Sequence, residues 1–271
     1  MKNKINSITS VFLIWVCCSP IDIFGQIPEN QGENKLASPQ SVDTSISKYP
    51  EEKILNPSVN QYFSGIKRVL TNKINLFYLV SGTGASLIVW PYDKDISEAI
   101  EDDNFNELEL QAPDKLGGFF VITGASVFTH LFGRAIRKPH LANTGLYLLE
   151  AYFTTVLITG TTKIIVQRTR PNGENNLSFP SGHTSGMFTV ASVLDKRYGY
   201  KVGIPSYLLA GFVGISRIKM QKHFPTDVIA GAALGIIVGR SFVPSKNNNK
   251  SAAVLPVFYR NYVGISYQVH F

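Results

Sequence analysis

Three short stretches of the chain hold residue types suited to gripping an oxyanion and moving a proton. In "FPSGHTSG", residues 179–186, Pro180, Ser181, Gly182 and His183 stand directly ahead of an apolar run. Proline fits the first turn of a helix and a serine hydroxyl can accept from its free N–H groups, so a helix is expected to begin here. Capping requires neither of the next two residues. Gly182 offers backbone that a ligand can approach closely, and His183 offers an imidazole that exchanges a proton near neutral pH. Taken alone, the four residues read more readily as an N-cap followed by an incidental histidine.

Upstream, "KIIVQRTRP" places Lys163 and Arg170 seven residues apart, about two helical turns, on one face of a helix that Pro171 is expected to stop. Two cations there either complement the helix dipole or bind an anion. Downstream, "SRIKMQKHFPTDVIAGAALG" has Pro225 opening a helix, Asp227 in its first turn and His223 just before it. Asp227 can reach back as the acidic member of a capping box, or it can orient the His223 imidazole as a triad carboxylate does. Together the stretches supply Lys163, Arg170 and Arg217 as firm cations, two histidines, one carboxylate and two helix N-termini. Guanidinium forks, a lysine point charge and free N–H groups suit a tetrahedral oxyanion. No histidine pair has zinc-site spacing, so no metal is expected and the protein itself must stabilise the charge.

The elements that position these residues are helical. Six apolar segments, 76–90, 116–133, 144–167, 184–194, 202–216 and 228–243, are too long for strands. In the last of them Gly231, Gly235 and Gly239 recur every fourth residue and give a smooth face for close helix packing. Between the first two lies an acidic stretch, 91–115, read as a solvated loop with a short helix rather than a calcium site. At the end, "YVGISYQVHF" alternates apolar and small or polar residues; with "VLPVFY" before it and a bend at Arg260 and Asn261 it reads as a β-hairpin packed on the helical domain. The expected fold is all-α, with a short C-terminal hairpin.

With 271 residues and 44% hydrophobic content, the chain can bury one sizeable core. Residues 1–25, with Lys2 and Lys4 ahead of "VFLIWVCC" and small Gly25 at the end, read as a secretory signal. Residues 26–60 read as a flexible leader, 61–245 as the helical domain, and 246–271 as a linker and the hairpin. Cys17 and Cys18 fall within the signal, so no disulfide is expected in the exported protein. The net charge of +7 implies an anionic substrate or surface without indicating nucleic acid. Most of the apolar runs fall short of the about 20 residues a spanning helix needs. If the N-terminus is exported, the acidic 91–115 loop would also lie on the cytoplasmic side, against the positive-inside tendency. A soluble or peripheral protein of the periplasm or cell envelope is therefore expected.

The order K-x6-R-P, P-S-G-H, S-R-x5-H-x3-D resembles the three-part signature of the type 2 phosphatidic acid phosphatase and vanadium haloperoxidase superfamily. Lys163, Arg170 and Pro171, then Pro180, Ser181, Gly182 and His183, then Ser216, Arg217, His223 and Asp227 fill its fixed positions. The resemblance covers roughly residues 70–243 and implies that family's six-helix bundle core. The chain departs from the pattern in the short link "NGENNLSF", which leaves no length for a large substrate lid.

The resemblance implies phosphomonoester hydrolysis through a phosphohistidine. His223 would attack phosphorus, Asp227 would orient it, and His183 would protonate the departing alcohol and then activate water. Lys163, Arg170, Ser181, Gly182 and Arg217 would hold the phosphate oxygens. Arg168, Lys219 and Lys222 are read as solvated charges. The substrate would be a phosphorylated lipid or a small phosphate ester, and no cofactor is expected. Two other functions are compatible with the pattern: a vanadate-dependent haloperoxidase using the same pocket, and an inactive helical envelope protein.

Overall fold

The computed structural model describes residues 52–100, 112, 115–244, 251–259 and 262–270. The signal reading, both cysteines, most of the leader and most of the acidic stretch lie outside these residues. The described helices are α1 (Val59–Thr71), α2 (Lys73–Val89), α3 (Asp93–Ile100), α4 (Phe119–Ala135), α5 (Pro139–Val166), α6 (Gly182–Tyr198), α7 (Tyr200–Lys219) and α8 (Pro225–Phe242). A single 3-10 turn, Trp90–Tyr92, joins α2 to α3. Each of the six apolar segments falls largely on one of the longer helices. After them, β1 (Ser251–Tyr259) and β2 (Tyr262–His270) pair antiparallel, with Tyr259 opposite Tyr262.

Helix α8 is the axis of the molecule and is buried along almost its whole length. Its glycine stripe sets how closely α6 can approach. A Cβ on Gly231 would lie 2.7 Å from the Ser181 carbonyl oxygen, one on Gly235 2.4 Å from that of Ser185, and one on Gly239 2.6 Å from that of Thr189. Any side chain at these positions would push the two backbones apart. The stripe thereby brings the N-termini of α6 and α8 side by side, and the Ser181 N–H donates to the Asp227 carbonyl at 3.0 Å. Phe188 and Ala191 of α6, Val213 of α7 and Ile236 of α8 join Tyr78 and Tyr152 in the core. At the far end, the Arg68 guanidinium of α1 donates to the Ser241 and Phe242 carbonyls at 2.6 and 3.2 Å, capping the C-terminus of α8.

The soluble or peripheral expectation is corrected. Three helical segments, Lys73–Ile100, Pro139–Val166 and Pro225–Phe242, are long and apolar enough to cross a membrane. The apolar runs were too short a measure, because the helices carrying them continue through small and polar residues: α5 has 28 residues, or about 42 Å at 1.5 Å per residue. A belt of large apolar side chains also faces outward, including Leu76 and Leu87 of α2, Phe120 and Leu131 of α4, and Leu208 and Phe212 of α7. So many exposed large apolar side chains on the long helices suit a non-aqueous surrounding. After carbonate washing the protein is expected to stay in the membrane pellet and to leave it only in detergent; release by carbonate would contradict the integral reading.

Candidate active site

The three sequence stretches meet at one end of the helical domain, where α5 and α7 finish and α6 and α8 begin. Lys163 stands in the last turn of α5, and its ammonium donates to the carbonyls of Leu177 and Ser178. Helix α5 stops at Val166, with Gln167 in the left-handed conformation at φ 47°. It therefore ends ahead of Pro171, and Arg170 is not on a helical face shared with Lys163. The 167–181 loop supplies the convergence instead. It is pinned by Ser178 N–H to the Arg168 carbonyl at 2.9 Å and by Asn172 N–H to the Gln221 carbonyl at 3.1 Å.

Ser181 occupies the N-cap of α6, as its sequence neighbours predict, but its side chain makes no capping hydrogen bond. Its hydroxyl accepts from Thr184 Oγ1 at 2.9 Å, and Pro180 precedes the cap rather than lying in the first turn. Gly182 lies beside Lys163: a Cβ there would be 4.0 Å from Lys163 Cε. His183 backs onto the entrance to α4, where a Cβ on Gly117 would come within 2.8 Å of its ring. Gly117 gives no sequence signal because it lies outside the pattern, 66 residues ahead of His183, and only packing shows that the imidazole needs its bare backbone.

Arg217, 5% exposed, lies in the last turn of α7, and His223, 2% exposed, lies in the link to α8. Lys163 is within electrostatic reach of Arg170, Arg217 and His223, so the cations and the imidazole share one neighbourhood. Asp227 is fully buried. One of its oxygens, Oδ1, accepts from Arg168 at 2.7 Å; the other, Oδ2, accepts from the Phe224 N–H at 2.8 Å and from the Ser178 hydroxyl. The same Oδ2 lies 3.7 Å from His223 Nδ1, too long for a hydrogen bond but close enough to fix the ring's electrostatic surroundings. Asp227 thus caps its own helix and also faces the imidazole. Arg170 Nε and His223 Nδ1 are buried without a hydrogen-bond partner among the described residues.

Burial pushes the His223 imidazole down to about 4, against the opposing pull of the Asp227 carboxylate; the positive charges of Lys163 and Arg217 add to the lowering. The ring is therefore neutral, with a lone pair available for bonding, throughout the physiological range. At the rim, Lys222 and Asn172 hold the exposed Glu174 carboxyl below its ordinary range. Glu174 also lies 3.6 Å from the Arg170 guanidinium.

The solvated-charge reading is corrected for Arg168, and Lys222 stays at the solvent-facing rim. Lys222 pairs with Glu174. Arg168 binds Asp227, donates to Asp93 at 2.6 Å and to Thr226 Oγ1 at 2.7 Å, and lies over the rings of Trp90 and Phe224. Asp93, the first residue of α3, was part of the stretch read as a solvated loop, yet it is 3% exposed. A lone acid among many acids gives no sequence signal of burial; its partners lie over 70 residues away.

Residues 144–251 match the model of the PAP2 superfamily. A 75-residue segment is 43% identical to lipid A 1-phosphatase of Porphyromonas gingivalis, covering 27% of this chain and 17% of that protein. Phosphatidylglycerophosphatase B of Bacillus subtilis is 31% identical over 144 residues, 48% of this chain and 66% of that one. The chain thus spans less than two thirds of the length of these curated relatives. The crystal structure of the first transmembrane PAP2 type phosphatidylglycerolphosphate phosphatase from Bacillus subtilis superposes with a TM-score of 0.53 at 25% identity, covering 66% of this chain and 94% of that one. That this neighbour is transmembrane agrees with the long apolar helices and counts further against the soluble expectation.

Proposed function

The chain carries a PAP2 superfamily domain, and from that premise we propose that it is a membrane-embedded phosphatase that hydrolyses phosphorylated lipids through a phosphohistidine. The observation that supports this most directly is the gathering of Lys163, Arg170 and Arg217 around a buried neutral imidazole whose Nδ1 faces a carboxylate. The lipid part of the proposal draws on the named activities of the relatives and on the apolar exterior, which would put the site at the depth of lipid headgroups.

In the proposed reaction His223 Nε2 forms a bond to phosphorus as the ester P–O bond breaks. The departing alkoxide takes a proton from His183. Water then attacks the phosphohistidine and gives its proton to His183, the N–P bond breaks, and inorganic phosphate leaves. Lys163, Arg170 and Arg217, with the N–H groups of Ser181 and Gly182 at the start of α6, would neutralise the equatorial oxygens as charge develops. Asp227 would stabilise the charge on His223. No step calls on a metal.

Assay of the detergent-solubilised protein against phosphatidic acid, phosphatidylglycerol phosphate, undecaprenyl pyrophosphate, lipid A and a soluble aryl phosphate tests the reading. Release of phosphate from at least one lipid is expected, and inactivity on all of them would overturn it. Vanadate, with the shape and charge of phosphate, should inhibit competitively, and EDTA should have no effect. Arg217→Lys keeps the charge but loses the two-pronged guanidinium, and turnover should fall by about 10-fold or more. An unaffected Arg217→Lys enzyme would remove that residue from phosphate binding.

A further inference from the structure

The carboxylate facing His223 is held by a second layer of charge that the three-part pattern does not include. Asp93 Oδ1 accepts from the Thr226 N–H at 3.0 Å, and Oδ2 accepts from Arg168 at 2.6 Å and from the Thr226 hydroxyl. Asp93 therefore caps the first turn of α8 from another helix, satisfying an N–H that the turn itself leaves without a partner. Arg168 sits between Asp93 and Asp227, one nitrogen on each carboxylate, and holds two buried negative charges together. Removing the guanidinium would leave two buried carboxylates without the cation between them, and Asp227 Oδ1 would lose the hydrogen bond that Arg168 gives it.

The tie spans three parts of the chain. It joins α3, the 167–181 loop and the start of α8, and Gln221 adds a further link by donating to the Ser97 carbonyl of α3 at 2.7 Å. The Trp90 and Phe224 rings, 5.3 and 4.2 Å from the guanidinium carbon, fix the position of Arg168 further. We propose that Arg168 and Asp93 are positioning residues that hold the Asp227 carboxylate, and through it the His223 imidazole, in the reacting orientation. Neither residue touches the phosphate; each acts through Asp227. For its effect on turnover the proposal rests on the phosphatase reading above, but its effect on the imidazole does not.

Full-length protein in detergent is compared as wild type, Arg168→Met, Arg168→Lys and Asp93→Asn, with turnover expressed per folded molecule. In Arg168→Met and Asp93→Asn, kcat should fall by about 10²-fold, the scale of a misplaced reacting group, with KM little changed. Arg168→Lys, which keeps the charge, should recover part of the loss. The second readout is the ¹⁵N signature of the His223 ring at neutral pH, assigned by its disappearance in His223→Asn. Wild type should show the Nδ1–H tautomer facing Asp227, and Arg168→Met a mixture of tautomers. The proposal is overturned by wild-type kcat in Arg168→Met, or by a lost kcat with an unchanged His223 tautomer, which would mark a purely structural tie. If wild type hydrolyses no phosphate ester, the phosphatase reading fails and the tautomer comparison alone decides the positioning role.

Discussion

His223→Ala is expected to abolish turnover on every phosphate ester and to leave no acid-labile phosphoenzyme after rapid quenching with labelled substrate. The expectation is absolute because the residue would form the bond to phosphorus, and its imidazole faces the Asp227 carboxylate. A covalent intermediate trapped in His223→Ala would disprove the assignment. The same residue has a signature in stability. Its pKa of about 4 in the folded protein lies below the 6.5 of an exposed histidine, so between these values the unfolded chain binds more protons. The resulting stability is fully present above pH 6.5 and is lost as pH falls toward 4, by about 3 kcal/mol in the limit. His223→Asn, which cannot titrate, should flatten that part of the pH dependence of thermal unfolding in detergent. A slope unchanged by the substitution would show that other groups carry it.

The second large effect separates His183 from His223. As general acid, His183 should contribute about 10²- to 10⁴-fold when the leaving alkoxide is poor, and much less when the leaving group is already stable, as nitrophenolate is. His183→Ala should therefore lose most of its activity on alkyl phosphates and retain a larger share on aryl phosphates in the first turnover. Because His183 would also activate water in the second step, the variant should accumulate phosphoenzyme on the aryl substrate. Equal loss on alkyl and aryl esters, measured in a single turnover, would overturn the acid role. The packing of the His183 ring against Gly117 explains why alanine is the cleaner replacement: a bulkier residue would press on the α4 entrance as well.

Sequence alone determined the identities and order of the chemical groups. The spacing of Lys163, Arg170, Ser181, Gly182, His183, Arg217, His223 and Asp227 marked the same three stretches that the fold brings together, because each sits at a helix end and helix ends carry strong local signals. The glycine stripe of α8 was also legible, since a period of four along an apolar helix defines a face whatever packs on it. Tertiary structure decided the rest. The left-handed turn at Gln167 ended α5 before Pro171, and the loop after it, not a shared helical face, brought Arg170 to the site. Membrane embedding was hidden because runs of apolar residues understate helix length when small and polar residues continue the helix. Arg168 and Asp93 could not be told from surface charges by type or spacing. What sets them apart is burial against each other, against Asp227 and against the first turn of α8. A charge is cheap in water and costly inside a fold, and only the folded chain shows which charges have left the water and acquired partners.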